Sequence, residues 1–276
     1  EACLVGSEMC IRDSIYTLAS VVDDIQFEVT DILRGEDHMT NSAAQIQLFE
    51  ALGSSPPRLG HLSLLTDISG EGLSKRLGSL SLKDLRQEGF QPMAISSLLS
   101  KVGTADAIDI FKNINQIIDD FDINKFGKSK PKFDKMELLN LNSKFFQLID
   151  FDDISGQLNT LDFQITTEFW NLIKGNINTF NDIKFWWDIV YGKIKTINDD
   201  HEFTHLALKT LPNDSFDKNT WSIWTSLLMK ESGRKGKDLF KPLRLCLTGQ
   251  NNGPEMANLV LTMGRQKIVE RLNNKN

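Results

Sequence analysis

Gly72-Leu73-Ser74-Lys75-Arg76 sets a hydroxyl and two adjacent cations at the end of a glycine-bearing loop. Arginine offers a planar fork of donors and lysine a compact point charge, and both suit phosphate oxygens. The apolar run His61-Leu62-Ser63-Leu64-Leu65 and the loop Thr66-Asp67-Ile68-Ser69-Gly70-Glu71 come first. The pattern reads as a strand emptying into a mobile basic loop. A solvated turn has the same composition, and the pentapeptide alone does not separate the two. Two further constellations can do chemistry. His201-Glu202-Phe203-Thr204-His205 matches His-Glu-x-x-His, which on a helix turns both imidazoles to one side around zinc with the glutamate as general base. Only His38 and His61 remain as other histidines, and Pro212 stops the following helix early. Finally, Arg234, Lys235, Lys237, Lys241 and Arg244 fall within eleven residues with a single acid, Asp238. Such a stretch is a solvated helix face or a local nucleic-acid contact.

The elements that must position these groups follow from periodicity. Leu18, Val21, Val22 and Ile25 are spaced for a helix, and Val29 to Leu33 reads as a buried strand. Asn41 or Ser42 can cap a helix carrying Ile46, Leu48, Phe49 and Leu52, ended by Gly53 and Pro56-Pro57. Ser81 can cap a short helix to Glu88. Pro92 opens another, through Ile95, Leu98, Leu99 and Val102, ended by Gly103. Strands alternating with helices predict a parallel α/β unit. Beyond Ser81 strand signals nearly vanish. Ile114/Ile117/Ile118/Phe121, Leu138/Leu141/Phe145/Leu148 and Phe185/Trp186/Ile189/Val190 are helical stripes. The expected fold class is therefore α/β followed by all-α, with boundaries near residues 80 and 150. Trp170, Trp186, Trp187, Trp221 and Trp224 sit among Ile and Phe at helical spacing, which reads as core rather than as stacking platforms.

Bulk properties bound the function. The chain has 276 residues, 40% hydrophobic and 25% charged, enough to bury a core in one large or two medium domains. No apolar run reaches the length of a membrane span. A net charge of −6 argues against non-specific coating of nucleic acid while allowing one RNA to be read through local basic patches. The three cysteines, Cys3, Cys10 and Cys246, form no Cys-x-x-Cys pair, so neither a zinc knuckle nor a disulfide framework is indicated. Reduced thiols in the cytoplasm are the default. Residues 1–14 lack the basic start and apolar core of a secretory signal; they resemble translated sequencing adaptor and are set outside the fold.

Several blocks recur together at a characteristic spacing. They are Tyr16 to Asp24, Val29-Thr-Asp-Ile-Leu-Arg-Gly-Glu-Asp-His38, Asn41-Ser42, and Leu73-Ser74-Lys75-Arg76. Phe133-Asp134, the run Gly236 to Gly249 with Pro242-Leu243-Arg244, Gly253-Pro254-Glu255 and Gly264-Arg265 complete the set. This set resembles the bacterial glutamyl-tRNA synthetases, class I aminoacyl-tRNA synthetases, over about residues 15–272 and most weakly over 105–230.

The resemblance implies a partial Rossmann-type catalytic domain over residues 15–80. It implies a helical stem-contact region over 81–150 and a helical anticodon-binding domain over 151–276. It also implies ATP-dependent attachment of glutamate to tRNA through a glutamyl-adenylate, with magnesium accompanying ATP. In that frame Tyr16 and Arg34 hold glutamate, an arginine being able to grip a carboxylate with two donors. Ser20 takes a place that family members fill with an amide. Lys75, helped by Arg76 and Ser74, stabilises the phosphates in the transition state, and His38 contacts the adenine side. Gly72 stands where the family has lysine. Arg244, Pro254 and Met256 correspond to anticodon contacts, and Asn176 to a position that reads the third anticodon base.

Implied partners are glutamate tRNA, with glutamine tRNA left open, acting on a cytoplasmic monomer without membrane or bound zinc. The family's amino-terminal half, with its His-x-Gly-His-type motif, is not seen, so the expectation is tRNA binding without pyrophosphate exchange. A tRNA-binding module with no catalytic duty and a zinc metalloprotease are the alternatives from other classes.

Overall fold

A computed structural model of the protein describes residues 17–73, 81–196 and 200–273. Within them the chain forms two compact units. The first comprises the described residues within 1–80, 99–108 and 120–134; the second comprises those within 81–98, 109–119 and 135–276. Tyr16, Ser74, Lys75 and Arg76, like residues 1–14, lie outside the described residues.

In the first unit, helix α1 (17–26) leads to strand β1 (Asp31–Gly35), a single 3-10 turn (Glu36–His38), helix α2 (Met39–Ala51) and strand β2 (Arg58–Leu62). The strands are parallel with Asp31 opposite Arg58 and Arg34 opposite His61, so α2 is the crossover of a β-α-β unit. Both strands lie later or earlier than hydropathy predicts. β1 was expected at Val29 to Leu33 and β2 at His61 to Leu65. Pairing decides instead: Arg58 Nε meets Asp31 Oδ1 at 2.7 Å at the start of the ladder, directly after Pro56-Pro57. β1 is also not the buried strand its composition suggests. None of its residues is buried and Leu33 is 61% exposed, because two strands and one crossover helix leave a sheet face uncovered.

The start of α2 is a second correction. Neither Asn41 nor Ser42 caps it; His38 precedes the helix and no side chain caps the end. The 3-10 turn already runs in helical geometry, with Met39 N–H bonded to the Glu36 carbonyl, so a separate cap is not needed. Gly53, at φ +75°, follows the helix end as expected.

After β2 the chain makes a closed turn. Asp67 Oδ1 accepts from Ser69 Oγ at 2.6 Å and Glu71 N at 2.9 Å, Gly70 takes φ +91°, and Thr66 bridges Gly72 in antiparallel fashion. Thr66 also pairs with the 131–133 segment, its N–H to the Pro131 carbonyl and its carbonyl from Phe133 N. Thr66 is thus held between Gly72 on one side and the 131–133 segment on the other.

The second unit is helical: α3 (Leu82–Gln87), most of α4 (Pro92–Lys101), α5 (Ile114–Asp120), α6 (Lys135–Leu148), α7 (Phe151–Leu158), α8 (Thr167–Ile173), α9 (Asp182–Val190), α10 (His201–Thr210), α11 (Thr220–Ser232), α12 (Lys237–Thr248) and α13 (Met256–Asn273). Ser81 caps α3 in a reciprocal box with Asp84. Its core joins Phe146, Phe169, Trp170, Ile183, Trp224, Leu243 and Leu259, all fully or almost fully buried. Three buried indoles find carbonyl partners: Trp170 to Ile149, Trp186 to Asn176 and Trp224 to Ala207. α13 is interrupted at Gly264, φ +71°. No helix among the described residues is long and apolar enough to cross a membrane.

Candidate functional site

Arg34 lies at the carboxyl end of β1, the end at which open α/β sheets place their ligands. Its Nη2 donates to Ser42 Oγ and, at 2.6 Å, to Gln45 Oε1. Gln45 passes the chain on, its Nε2 donating to Ser20 Oγ at 2.8 Å, and Ser20 donates to the Thr17 carbonyl at 3.0 Å. Ser42 Oγ meets His61 Nε2 at 2.8 Å and donates to the His38 carbonyl at 3.0 Å. Among the described residues Arg34 has no acidic partner, and its Nε is buried without a hydrogen bond. A guanidinium held by neutral groups keeps its charge for an anion, and a carboxylate matches its fork.

Arg34, Ser20 and His38 therefore fall in one network. His38 sits one turn away, its Nδ1 3.3 Å from Asn41 Nδ2 and its Nε2 3.9 Å from Asp37 Oδ2. Sequence reasoning missed Gln45, Ser42 and His61 as members. Ser42 and Gln45 are three apart on one helical face, and the parallel register sets His61 beside Arg34. Those are the signals that could have found them.

The basic stretch forms a second constellation, in the helical unit. Arg244 lies on α12 and donates from Nη2 to the Pro254 carbonyl at 3.0 Å, while Nη1 is buried without a partner. Burial pushes this guanidinium below its ordinary value. Pro254 and Met256 are both buried, Met256 opening α13 and Pro254 two residues before it; Asn176 is exposed in the α8–α9 loop. Lys237 and Lys241 precede Arg244 at helical spacing, opposite the buried Leu239, Leu243 and Cys246. Arg234 is engaged elsewhere, with Asp200 Oδ2 at 2.6 Å and with its guanidinium 4.7 Å from the Phe203 ring centre.

His201, Glu202 and His205 stand on α10 at the expected spacing, all three exposed. No group of three or more His, Cys, Asp or Glu among the described residues could hold a metal ion.

The β-α-β unit and the helical unit that follows it correspond to the two parts of a class I tRNA synthetase, as the family matches show. Residues 4–140 match the family described as tRNA synthetases class I (E and Q), catalytic domain, and residues 137–275 match the anticodon binding domain family. The chain belongs to the class I tRNA synthetases of this E and Q group. Glutamate–tRNA ligases are among its relatives. It is 42% identical to glutamate–tRNA ligase 1 of Maricaulis maris (strain MCS10) over 259 residues, 94% of this chain and 58% of that one. It is 42% identical to glutamate–tRNA ligase of Azospirillum brasilense over 260 residues, again 94% and 58%. The chain thus spans about 58% of the length of these relatives. Its fold is similar to the crystal structure of a glutamate tRNA ligase from Elizabethkingia meningosepticum CCUG26117 in complex with its amino acid. That match has a TM-score of 0.76 and 21% identity, and covers 94% of this chain and 59% of that one.

Proposed function

We propose that this chain is part of a glutamate–tRNA ligase that joins glutamate to ATP, releases pyrophosphate and transfers the glutamyl group to tRNA. The observation that carries the reading is Arg34, a cation at the carboxyl end of β1 held, among the described residues, by hydroxyl and amide groups. Arg34 would grip a glutamate carboxylate, Ser20 and Gln45 would fix the guanidinium's plane, and Tyr16 would close the same pocket. Ser74, Lys75 and Arg76 would meet the phosphates of ATP, bound as its magnesium complex, with His38 towards the adenine. Such cations act by meeting charge that grows in the transition state. Arg244, Pro254, Met256 and Asn176 would read the anticodon of glutamate tRNA. A cytoplasmic monomer is the working form these substrates suggest.

Binding experiments on the chain itself test both halves of this reading. Glutamate titrated against the wild-type chain is expected to perturb NMR signals of Ser20, Arg34 and Gln45, and Arg34→Gln is expected to abolish the perturbation. An Arg34→Gln chain that still responds to glutamate with unchanged affinity refutes the glutamate assignment. For RNA, Arg244→Ala is expected to weaken binding of a glutamate anticodon hairpin at least about tenfold, the scale of one lost charged hydrogen-bonding side chain.

A further inference from the structure

Asn176 lies between α8 and α9, and Gly253-Pro254 lies between α12 and α13. One side chain touches both segments. Trp186, on α9 and 5% exposed, donates its indole N–H to the Asn176 carbonyl at 3.2 Å. Its six-membered ring lies so close to Gly253 that a Cβ there would stand 2.2 Å from Cη2 and 3.0 Å from Cζ2. Gly253 also holds φ at +146°, which side-chain-bearing residues rarely adopt. The next residue, Pro254, supplies the carbonyl that holds Arg244.

We propose that Trp186 is a positioning residue for anticodon reading, its indole setting the Asn176 loop and the turn that holds Arg244 in one frame. The inference rests on the anticodon reading of Arg244 and Asn176 given above. It goes beyond that reading by naming a buried residue that never meets RNA.

The rest of the α8–α9 loop is pinned by other groups. Asn178 N and Thr179 N donate to Asp182 Oδ2 at 2.8 and 2.9 Å, Ser143 Oγ donates to the Ile177 carbonyl, and Asn142 Nδ2 to that of Asn178. None of these reaches the Asn176 carbonyl, whose direction is left to the indole. Trp170 and Trp224 are a useful contrast. They too are buried and donate to carbonyls, but those belong to Ile149 and Ala207, which lie in neither of the two segments. Base recognition depends on donors placed to a fraction of an ångström, so a support shared by two reading segments affects selectivity as well as stability.

The test uses the full chain and two anticodon hairpin RNAs that differ only in the third anticodon base, cytosine or guanine. Dissociation constants are read by fluorescence anisotropy, with urea unfolding as the control for folding. Trp186→Phe keeps an aromatic ring and removes the N–H; Gly253→Ala keeps the N–H and drives a methyl into the ring. Each is expected to lower the ratio of the two dissociation constants about fivefold, the scale of one lost hydrogen bond. Arg244→Ala separates the two levels of the argument. If it binds RNA like the wild type, or if the wild type does not distinguish the hairpins, the anticodon reading fails and the inference with it. If Arg244→Ala weakens binding while Trp186→Phe and Gly253→Ala keep the wild-type ratio, the positioning role alone is overturned. An equal loss for both hairpins, or failure of both variants to fold, makes Trp186 a structural residue and likewise overturns it.

Discussion

Arg34 and Arg271 are two arginines in polar cages with opposite uses. Arg34 is held by neutral side chains and keeps an unpaired donor near the ligand end of a strand. Arg271 is fully buried and spends Nη2 on the carbonyls of Asp188, Ile189 and Gly192 at 3.4, 3.1 and 3.0 Å, closing the carboxyl end of α9. Its Nε and Nη1 have no partner, and burial pushes its guanidinium below the ordinary value. Arg271→Ala removes the donor from the Ile189 and Gly192 carbonyls, while the Asp188 carbonyl still accepts from Gly192 N. The expected cost is about 3 kcal/mol, from these carbonyls losing their donor together with a cavity. Arg271→Lys, with a compact ammonium in place of the fork, is expected to recover only part of it. Urea unfolding of the two variants checks this, and a loss under about 1 kcal/mol for the alanine variant contradicts it. Arg271 carried no sequence signal, since a cation near a chain's end reads as solvated. Arg34 was legible because it ends a strand inside a recognisable block; its partners were not, because Ser42 was read as a helix cap and Gln45, between the apolar positions of the helix, received no reading.

At the scale of elements, helices were legible and strands were displaced. A helix satisfies its backbone within itself, so spacing suffices, as for Leu138, Leu141 and Phe145 on α6. A strand's limits depend on its partner, so Val29 to Leu33 became Asp31–Gly35 once Arg58 paired with Asp31. Caps follow the same logic. Ser81 sits beside the Asp84 that completes its box, whereas Asn41 and Ser42 were overruled by a preceding turn that sequence does not reveal.

The helix bearing the His-Glu-x-x-His pentapeptide offers a test of capping against ion pairing. Asp200 Oδ1 accepts from Phe203 N at 3.0 Å, capping α10, and Oδ2 meets Arg234 at 2.6 Å. The carboxyl is held below its usual range first by the Phe203 N–H and then by Arg234. Asp200→Asn keeps a capping oxygen and loses the ion pair, so it is expected to cost only a few tenths of a kcal/mol, roughly the value of an exposed pair. Asp200→Ala loses both and is expected to cost about 1–2 kcal/mol. Equal losses in thermal or urea unfolding would show that the ion pair, not the cap, is what matters.

At the scale of the whole molecule, the succession of α/β and all-α was legible from the disappearance of strand signals after Ser81. The interleaving of units was not. Residues 99–108 and 120–134 return to the first unit; Gly103 and Gly127 to Pro131 mark breaks there, but a helix breaker does not tell a return to another unit from a loop within the same one. Charge, by contrast, acts alike in both units. Asp106 is held low by Lys125 and then Lys101, Asp31 by Arg58 and then Thr30, Asp217 by the Thr220 hydroxyl and then the Asn219 N–H, and Glu270 by Lys267. Each carboxyl binds its proton less readily folded than unfolded, so at low pH the unfolded chain takes up more protons. The stability they contribute is fully present above the unfolded carboxylate value of about 3.9–4.3 and is lost as pH falls through the lower folded values. Lys101 acts at the other end. Asp120 and then Asp106 raise it, so its contribution is complete below about 10.4 and is lost only as pH rises through its folded value. The urea midpoint of the whole chain is therefore expected to stay level between about pH 5 and 8 and to fall steeply below about pH 4. Asp106→Asn with Asp217→Asn, one substitution in each unit, is expected to lower the neutral midpoint and flatten the acid slope together. A double variant that loses stability at neutral pH but keeps the full acid slope would place the proton uptake on other carboxylates and remove these two from the account.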